Sequence, residues 1–239
     1  ITEVKTGIIG SYYSVQKKPA GATTKTDDMD RVTPQASIGW RAPVSLAGSS
    51  RSMVLEPRLQ FAYIGGKDRS ADIPNRDSAD YRIDEANLFL LNRYQGYDYL
   101  RPGSRADMGV SAVANDALVG DVTGFVGASY RLSGKPSSGL TVNDDDNLSD
   151  IVASLGINPD MPFQINWSGR LASSDFELNE SRTTVSGKVR KLGYTVEHVQ
   201  MAKPYFQSAA SDLEEMKLSL SYDLPCLLYT SPSPRDCKT

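Results

Sequence analysis

Along much of the chain, apolar and polar side chains alternate with a period of two, the signature of β-strands with two unlike faces. In 34–46 one face carries Ala36, Ile38, Trp40, Ala42, Val44 and Leu46, and the other Gln35, Ser37, Gly39, Arg41, Pro43 and Ser45. In 54–63, Leu55, Pro57, Leu59, Phe61 and Tyr63 oppose Glu56, Arg58, Gln60 and Ala62. The same pattern recurs over 121–132, 163–172 and 216–224, and in weaker form over 1–15, 104–114, 148–158, 182–190 and 194–202. The spacing predicts ten strands of roughly 9–13 residues. An ordinary globular strand has about 5–6 residues, whereas a tilted strand crossing a bilayer needs about 9–11.

The polar face carries Arg41, Arg58, Arg131, Arg170, Lys188 and Arg190, with Glu56, Asp121 and Asp223 as partners in charge. Such a face suits the wet interior of a large barrel whose apolar face meets lipid. Tyr12, Tyr13, Trp40, Tyr63, Tyr130, Trp167 and Tyr222 lie mostly near strand ends or on the apolar side, as an interfacial aromatic girdle would. A soluble antiparallel sheet with one solvated face also alternates. The connections separate the two. Those at 16–33, 65–103, 133–147, 175–181 and 204–212 are long or medium, and those at 47–51, 115–118, 159–162 and 191–193 are short. Long and short alternate strictly, as in outer-membrane barrels with short periplasmic turns and longer extracellular loops. The fold expected is all-β: an antiparallel transmembrane β-barrel segment, about ten strands of a larger outer-membrane barrel.

The totals change this little. The chain has 239 residues, 39% hydrophobic and 23% charged, with a net charge of −3. That balance gives no footprint for nucleic acid, which needs clustered Lys and Arg. No apolar run approaches the length of a transmembrane helix, a test that a β-barrel does not have to pass. The chain opens on Ile1 in the middle of a strand-like pattern, so it reads as a fragment or a processed form. Its two cysteines, Cys226 and Cys237, fall in CLLYTSPSPRDCKT, where the alternation stops after Pro225. CLLYTSPSPRD resembles a translated sequencing adapter. The expected division is therefore a partial barrel over 1–225 and a non-native or disordered tail over 226–239, and the two thiols carry no redox reading.

Catalytic chemistry finds little support. The one histidine, His198, lies on a predicted strand, and no Gly-x-Ser-x-Gly elbow accompanies it. The acidic runs Asp27-Asp28-Met29-Asp30 and Asp144-Asp145-Asp146 lack the glycine and the bidentate glutamate of a calcium loop, and read as solvated loop tips. No zinc spacing or phosphate loop is present. The expectation is a protein that is not an enzyme, with no catalytic residue, cofactor or metal. The inward residues Arg41, Glu56, Arg58, Asp121, Arg131, Arg170, Lys188 and Arg190 remain as lumen-facing candidates. They are either water-facing and mutually paired, or a hydrophilic path for a phosphorylated, sugar-rich head group; spacing alone supports both.

One stretch fits neither strand nor turn: IPNRDSADYRIDEANLFLLNRYQGYD at 73–98, polar at its ends and apolar in its middle. A long loop without its own pattern is usually functional or disordered, and the apolar centre argues against disorder. Asn87-Leu88-Phe89-Leu90-Leu91 is expected to fold inward as a lid over the lumen, fixed by polar contacts from Asp77, Asp84, Glu85, Arg93 and Asp98, with Asn92, Tyr94 and Gly96 in the same loop.

The same stretch carries a resemblance. LEPRLQFAYIGG, then IPNRDSADYRIDEANLFLLNRYQGYD, RADMGVSAV and finally GASYRL resemble the lipopolysaccharide-assembly family LptD (OstA/Imp), most closely its alphaproteobacterial branch. The wording is specific over about 54–132, and the architecture is similar over about 1–225. The resemblance implies a very large Gram-negative outer-membrane barrel that inserts lipopolysaccharide (LPS) into the outer leaflet. It implies an outer-membrane lipoprotein partner, LptE, and a periplasmic LPS-transport bridge received through a β-jellyroll that this sequence does not contain. The family's disulfide cysteines have no counterpart before residue 226. A diffusion porin or another outer-membrane transporter barrel is the alternative; it would not need the wording of 73–98.

Overall fold

A computed structural model describes residues 1–17, 25–48, 51–67, 73, 83–93, 96, 98, 100–116, 120–134, 147–159, 161–202 and 212–223. Among them are eleven strands and no helix. In chain order they are β1 (Thr2–Lys17), β2 (Lys25–Arg41), β3 (Val44–Ala47), β4 (Arg51–Ile64), β5 (Gly103–Asp116) and β6 (Gly120–Gly134). There follow β7 (Ile151–Asn158), β8 (Phe163–Leu171), β9 (Leu178–Val189), β10 (Leu192–Met201) and β11 (Leu213–Tyr222). All belong to one sheet in the order β1-β2-β4-β5-β6-β7-β8-β9-β10-β11, with β3 paired to β4. Every pairing is antiparallel, and the sheet is not closed among the described residues. This is the all-β meander that the alternation predicts. The connections at 48–50, 117–119, 159–162 and 190–191 are short, and those at 65–102, 135–150 and 202–212 are long.

Three expectations about the elements change. The acidic run Asp27-Asp28-Met29-Asp30 is not a loop tip: β1 and β2 pair from Thr2↔Trp40 to Lys17↔Lys25, so the run sits inside the ladder. Polar strand ends carry no alternation, and the hydrophobic pattern therefore ended both strands too early. The predicted strand 34–46 is interrupted at Ala42-Pro43, because proline has no N–H to give the ladder. The register nevertheless continues across the break: Arg41↔Arg58 and Val44↔Leu55 belong to one alignment. Arg190 is not on a strand. It forms the turn with Lys191 at φ 57, a left-handed conformation enforced by the two-residue hairpin. The second acidic run, Asp144-Asp145-Asp146, and the tail from residue 224 lie outside the described residues.

The two faces of the sheet are inverted relative to a soluble protein. One face exposes Ile38, Trp40, Leu59, Phe61, Tyr63, Met108, Val110, Val126, Tyr130, Leu155, Leu218, Leu220 and Tyr222. The other buries Arg31, Thr33, Gln35, Ser37, Gln60, Asp107, Ser129, Asp150 and Arg170. An exposed apolar surface continuous across ten paired strands is far larger than a soluble monomer tolerates. The buried apolar cluster is small by comparison: Ile83 and Leu88 from the 65–102 connection pack on Phe125 and Val152, with Phe89 against them. Residues 83–93 of that connection, here called the strap, lie on the polar face.

Candidate functional site

The strap begins with a local turn that its own sequence dictates. The Asp84 backbone N–H donates to Asn87 Oδ1 at 2.9 Å, and the Asn87 N–H donates to Asp84 Oδ1 at 2.8 Å. This reciprocal pair is the arrangement of a capping box, here built from Asp and Asn. One helical turn follows, with Leu88 N–H donating to Asp84 O at 3.0 Å. The turn aims Leu88, which is fully buried, at the sheet.

The sheet receives Leu88 where side chains are missing. Gly109 and Gly127 lie opposite each other on β5 and β6. A Cβ on Gly127 would lie 2.5 Å from Leu88 Cδ2, 2.8 Å from Met108 O and 2.8 Å from the Phe125 ring. A Cβ on Gly109 would lie 3.0 Å from that ring. The two glycines thus form a notch that Phe125 and Leu88 fill. Phe89 meets Phe125 edge-on, with ring centroids 6.5 Å apart at 80°, and the Arg58 guanidinium lies 5.9 Å from the Phe89 ring centroid.

Charge fixes the other end of the strap. Asp107 is fully buried, and both of its carboxylate oxygens are doubly engaged. Arg93 Nη2 donates to Oδ1 at 2.5 Å and Ser129 Oγ donates to the same oxygen at 2.6 Å. Gln60 Nε2 and Arg105 Nε each donate to Oδ2 at 3.1 Å. The two arginines also hold strap carbonyls: Arg93 donates to Leu88 O at 2.6 Å, and Arg105 to Leu90 O and Leu91 O. A buried carboxylate is tolerable only with such saturation of its lone pairs.

A second buried cluster lies toward β9. Asp150 accepts from Arg170 Nη2 at 2.9 Å and from Asn179 Nδ2 at 3.2 Å. The β8–β9 register shifts between Arg170 and Leu171, which leaves Asn179 as the extra residue and aims it at Asp150. The β5–β6 register likewise shifts between Ser104 and Arg105, beside Asp107. Both charge clusters therefore sit next to irregularities in the ladder. Beside the second cluster, Ile83, Glu85, Ser154, Arg170, Glu180 and Arg182 line a cavity of about 470 Å³.

Of the residues singled out by sequence, the ladder registers put Arg41, Glu56, Arg58, Asp121, Arg131, Arg170 and Lys188 on the face that bears the strap. Glu56 lies 2.5 Å from Arg58 Nε and 4.0 Å from Arg41 Nη1, and Lys188 Nζ lies 2.5 Å from Asp223 Oδ2. Asp121 accepts from Asn115 at 2.6 Å, and Arg131 donates to Asn147 at 3.2 Å. Arg190, in its turn, joins none of these clusters. In the strap, Glu85 accepts from Ser154 at 2.5 Å; beyond the strap, the backbone O of Asp98 accepts from Arg31 Nη1 at 2.8 Å. Asn92 is half-buried, as is Gly96 at φ 94. Asp77 and Tyr94 lie outside the described residues. His198 sits on the apolar face opposite Met216, with Nε2 3.0 Å from Glu214 Oε1. Among the described residues no group of His, Cys, Asp and Glu is placed to hold a metal ion.

Sequence reasoning missed Asp107, Arg105, Asp150, Gly109, Gly127 and Phe125. Asp107 and Asp150 alternate like any polar strand residue, and a notch made of glycines is defined by what is absent. The one available signal was the pair of glycines in facing strands, RADMGV and FVGASY.

The comparisons with known proteins agree in kind. A family model described as LptD, LPS transport system D, matches residues 2–225. An "LPS-assembly protein LptD" of Shewanella denitrificans is 29% identical over 124 residues, which is 50% of this chain and 15% of that protein. An "LPS-assembly protein LptD" of Nitrosomonas europaea is 23% identical over 188 residues, 74% of this chain and 26% of that protein. The chain thus matches about a quarter or less of the length of these relatives. With a family match that spans the whole antiparallel sheet from β1 to β11, the chain belongs to the LptD family.

Proposed function

We propose that the chain forms part of the wall of a Gram-negative outer-membrane barrel that delivers LPS into the outer leaflet. The observation that carries this reading is the inverted sheet: a continuous apolar face turned outward and a charged face turned inward. An amphiphile with a fatty body and a phosphorylated sugar head needs a wet interior beside a lipid-facing wall. The aromatic side chains Tyr12, Tyr63 and Tyr130 stand toward the strand ends that carry the long connections, and Trp40 and Tyr222 toward the opposite ends. This is the distribution expected of two interfacial girdles.

In this reading Arg41, Glu56, Arg58, Asp121, Arg131, Arg170 and Lys188 face the barrel interior, where their charges favour water and a polar head group. The strap covers that interior from the side of the long connections. The transport machinery would include a lipoprotein partner such as LptE and a periplasmic bridge that loads LPS. No bond is made or broken, so transport in this segment needs no catalytic set.

The test uses the full-length protein in cells that depend on it. Depletion is expected to lower LPS at the cell surface, and unchanged surface LPS would sink the assignment. Deleting 84–94 is expected to admit large antibiotics or to impair assembly with the lipoprotein. Normal permeability together with normal assembly would remove the covering role of the strap.

A further inference from the structure

We propose that the strap is a fixed brace of the wall, keyed by Asp107, and not a cover that lifts each time a molecule passes. The proposal rests on the reading of the chain as barrel wall. Its argument comes from how the strap is held.

A segment that swings on and off should have few buried apolar contacts and an exposed, poorly bonded backbone. The strap has the reverse. Ile83 and Leu88 are fully buried, and together with Phe125 and Val152 they make the apolar core cluster of the described sheet. Three strap carbonyls, those of Leu88, Leu90 and Leu91, are bonded by buried or half-buried guanidinium groups. Leu88 fills a notch that has no room for a Cβ at its floor, so departure of the strap would leave a cavity there.

The strap and its flanking residues also tie strands that are not neighbours. The contacts run from β2, through Arg31 and Asp98, to β7, through Ser154 and Glu85. Between these ends, Asp107 on β5 joins Gln60 of β4, Ser129 of β6 and Arg93 of the strap through one carboxylate. The ladder is irregular in this region. The β5–β6 register shifts beside Arg105, and β6–β7 pairing in the regular ladder stops at Gly127↔Val152. Beyond Gly127↔Val152, β6 is held to 147–149 by an isolated bridge and two backbone bonds, Arg131 N–H to Asn147 O and Ser149 N–H to Ser129 O, and the strap adds its cross-ties to this thinner pairing. In a wall with water on one side and lipid on the other, packing from the sheet itself cannot do this.

Two measurements on the full-length protein in cells decide the matter. In the first, Glu85→Cys and Ser154→Cys are joined in the assembled barrel by a short, cleavable thiol cross-linker. A brace predicts that LPS delivery stays within about twofold of the uncross-linked protein. A larger fall that is restored on cleaving the linker would overturn the proposal in favour of a moving gate. In the second, Asp107→Asn is expected to lower the heat-resistant folded barrel in the outer membrane several-fold. An unchanged folded level and melting temperature would remove Asp107 as the key. Neither result depends on the depletion experiment, so a failed brace and a failed transport role are told apart.

Discussion

At the scale of single residues, the strap–wall junction is set by what each position excludes. Gly127→Ala would push a methyl group against Leu88, the Met108 carbonyl and the Phe125 ring at once. Overpacking of this kind costs about 1–3 kcal/mol. Leu88→Ala would leave the notch empty and cost about 2–5 kcal/mol, as buried leucine truncations do. Both should appear as lower urea midpoints for the full-length protein refolded in lipid vesicles, with Leu88→Ala the larger loss. Asp84→Ala removes one half of the reciprocal cap and should cost about 0.5–2 kcal/mol by the same measurement. Arg190 gives the opposite sign. Its φ of 57 is one that glycine adopts without strain, so Arg190→Gly should leave stability unchanged or raise it slightly. None of these four effects follows from hydrophobicity alone. Glycine in a strand pattern reads only as a weak position, and the partner of Gly127 lies in a loop whose docking no periodicity encodes.

At the scale of elements, the sequence pattern succeeds where one face meets lipid and fails where neither does. β4, β6, β8 and β11 were legible because their outward side chains alternate strictly with polar ones over the span that an apolar layer demands. The first half of β2 was not, because before Val32 the ladder runs through Lys25, Thr26, Asp27, Asp28, Asp30 and Arg31, whose polarity breaks the alternation. Hydrogen bonds between main chains hold that half to β1, and main chains leave no trace in residue type. The bulges beside Asp107 and Asp150 were hidden for a different reason: each adds a single residue, Leu132 or Asn179, close to a strand end, where too few positions follow to show a broken alternation. Asn179 provides a check at this scale. It is the extra residue in β9 and donates to Asp150. Deleting it should restore a regular β8–β9 register and remove one donor from Asp150. Hydrogen exchange should then show faster opening of the Arg170–Leu178 end of that ladder than of its Phe163–Gly187 end.

At the scale of the whole molecule, the charge and polarity of the two faces make a prediction that a soluble sheet would reverse. Val126 is exposed in the middle of the apolar band, on the face shared with Val110 and Leu155. Val126→Arg should destabilise the protein by about 2–4 kcal/mol in lipid, the cost of a basic side chain near the bilayer midplane of a barrel. Ser168→Arg, on the opposite face of β8, should change stability little. Comparing the two variants for folding into vesicles would expose an inverted assignment of the faces at once.

The small size of the apolar core under the strap has a further consequence, visible in heat rather than in contacts. A soluble domain gains about 12–15 cal/mol/K per residue in heat capacity on unfolding, because its interior becomes wetted. Here most apolar side chains leave lipid for detergent and never meet water, while the polar face is wet from the start. Stability in detergent should therefore vary with temperature almost in a straight line, with little curvature and no approach to cold denaturation. What curvature remains would report mainly on the apolar side chains buried on the polar face, Ile83, Leu88, Phe125 and Val152 under the strap together with Ile64, Val199 and Met201.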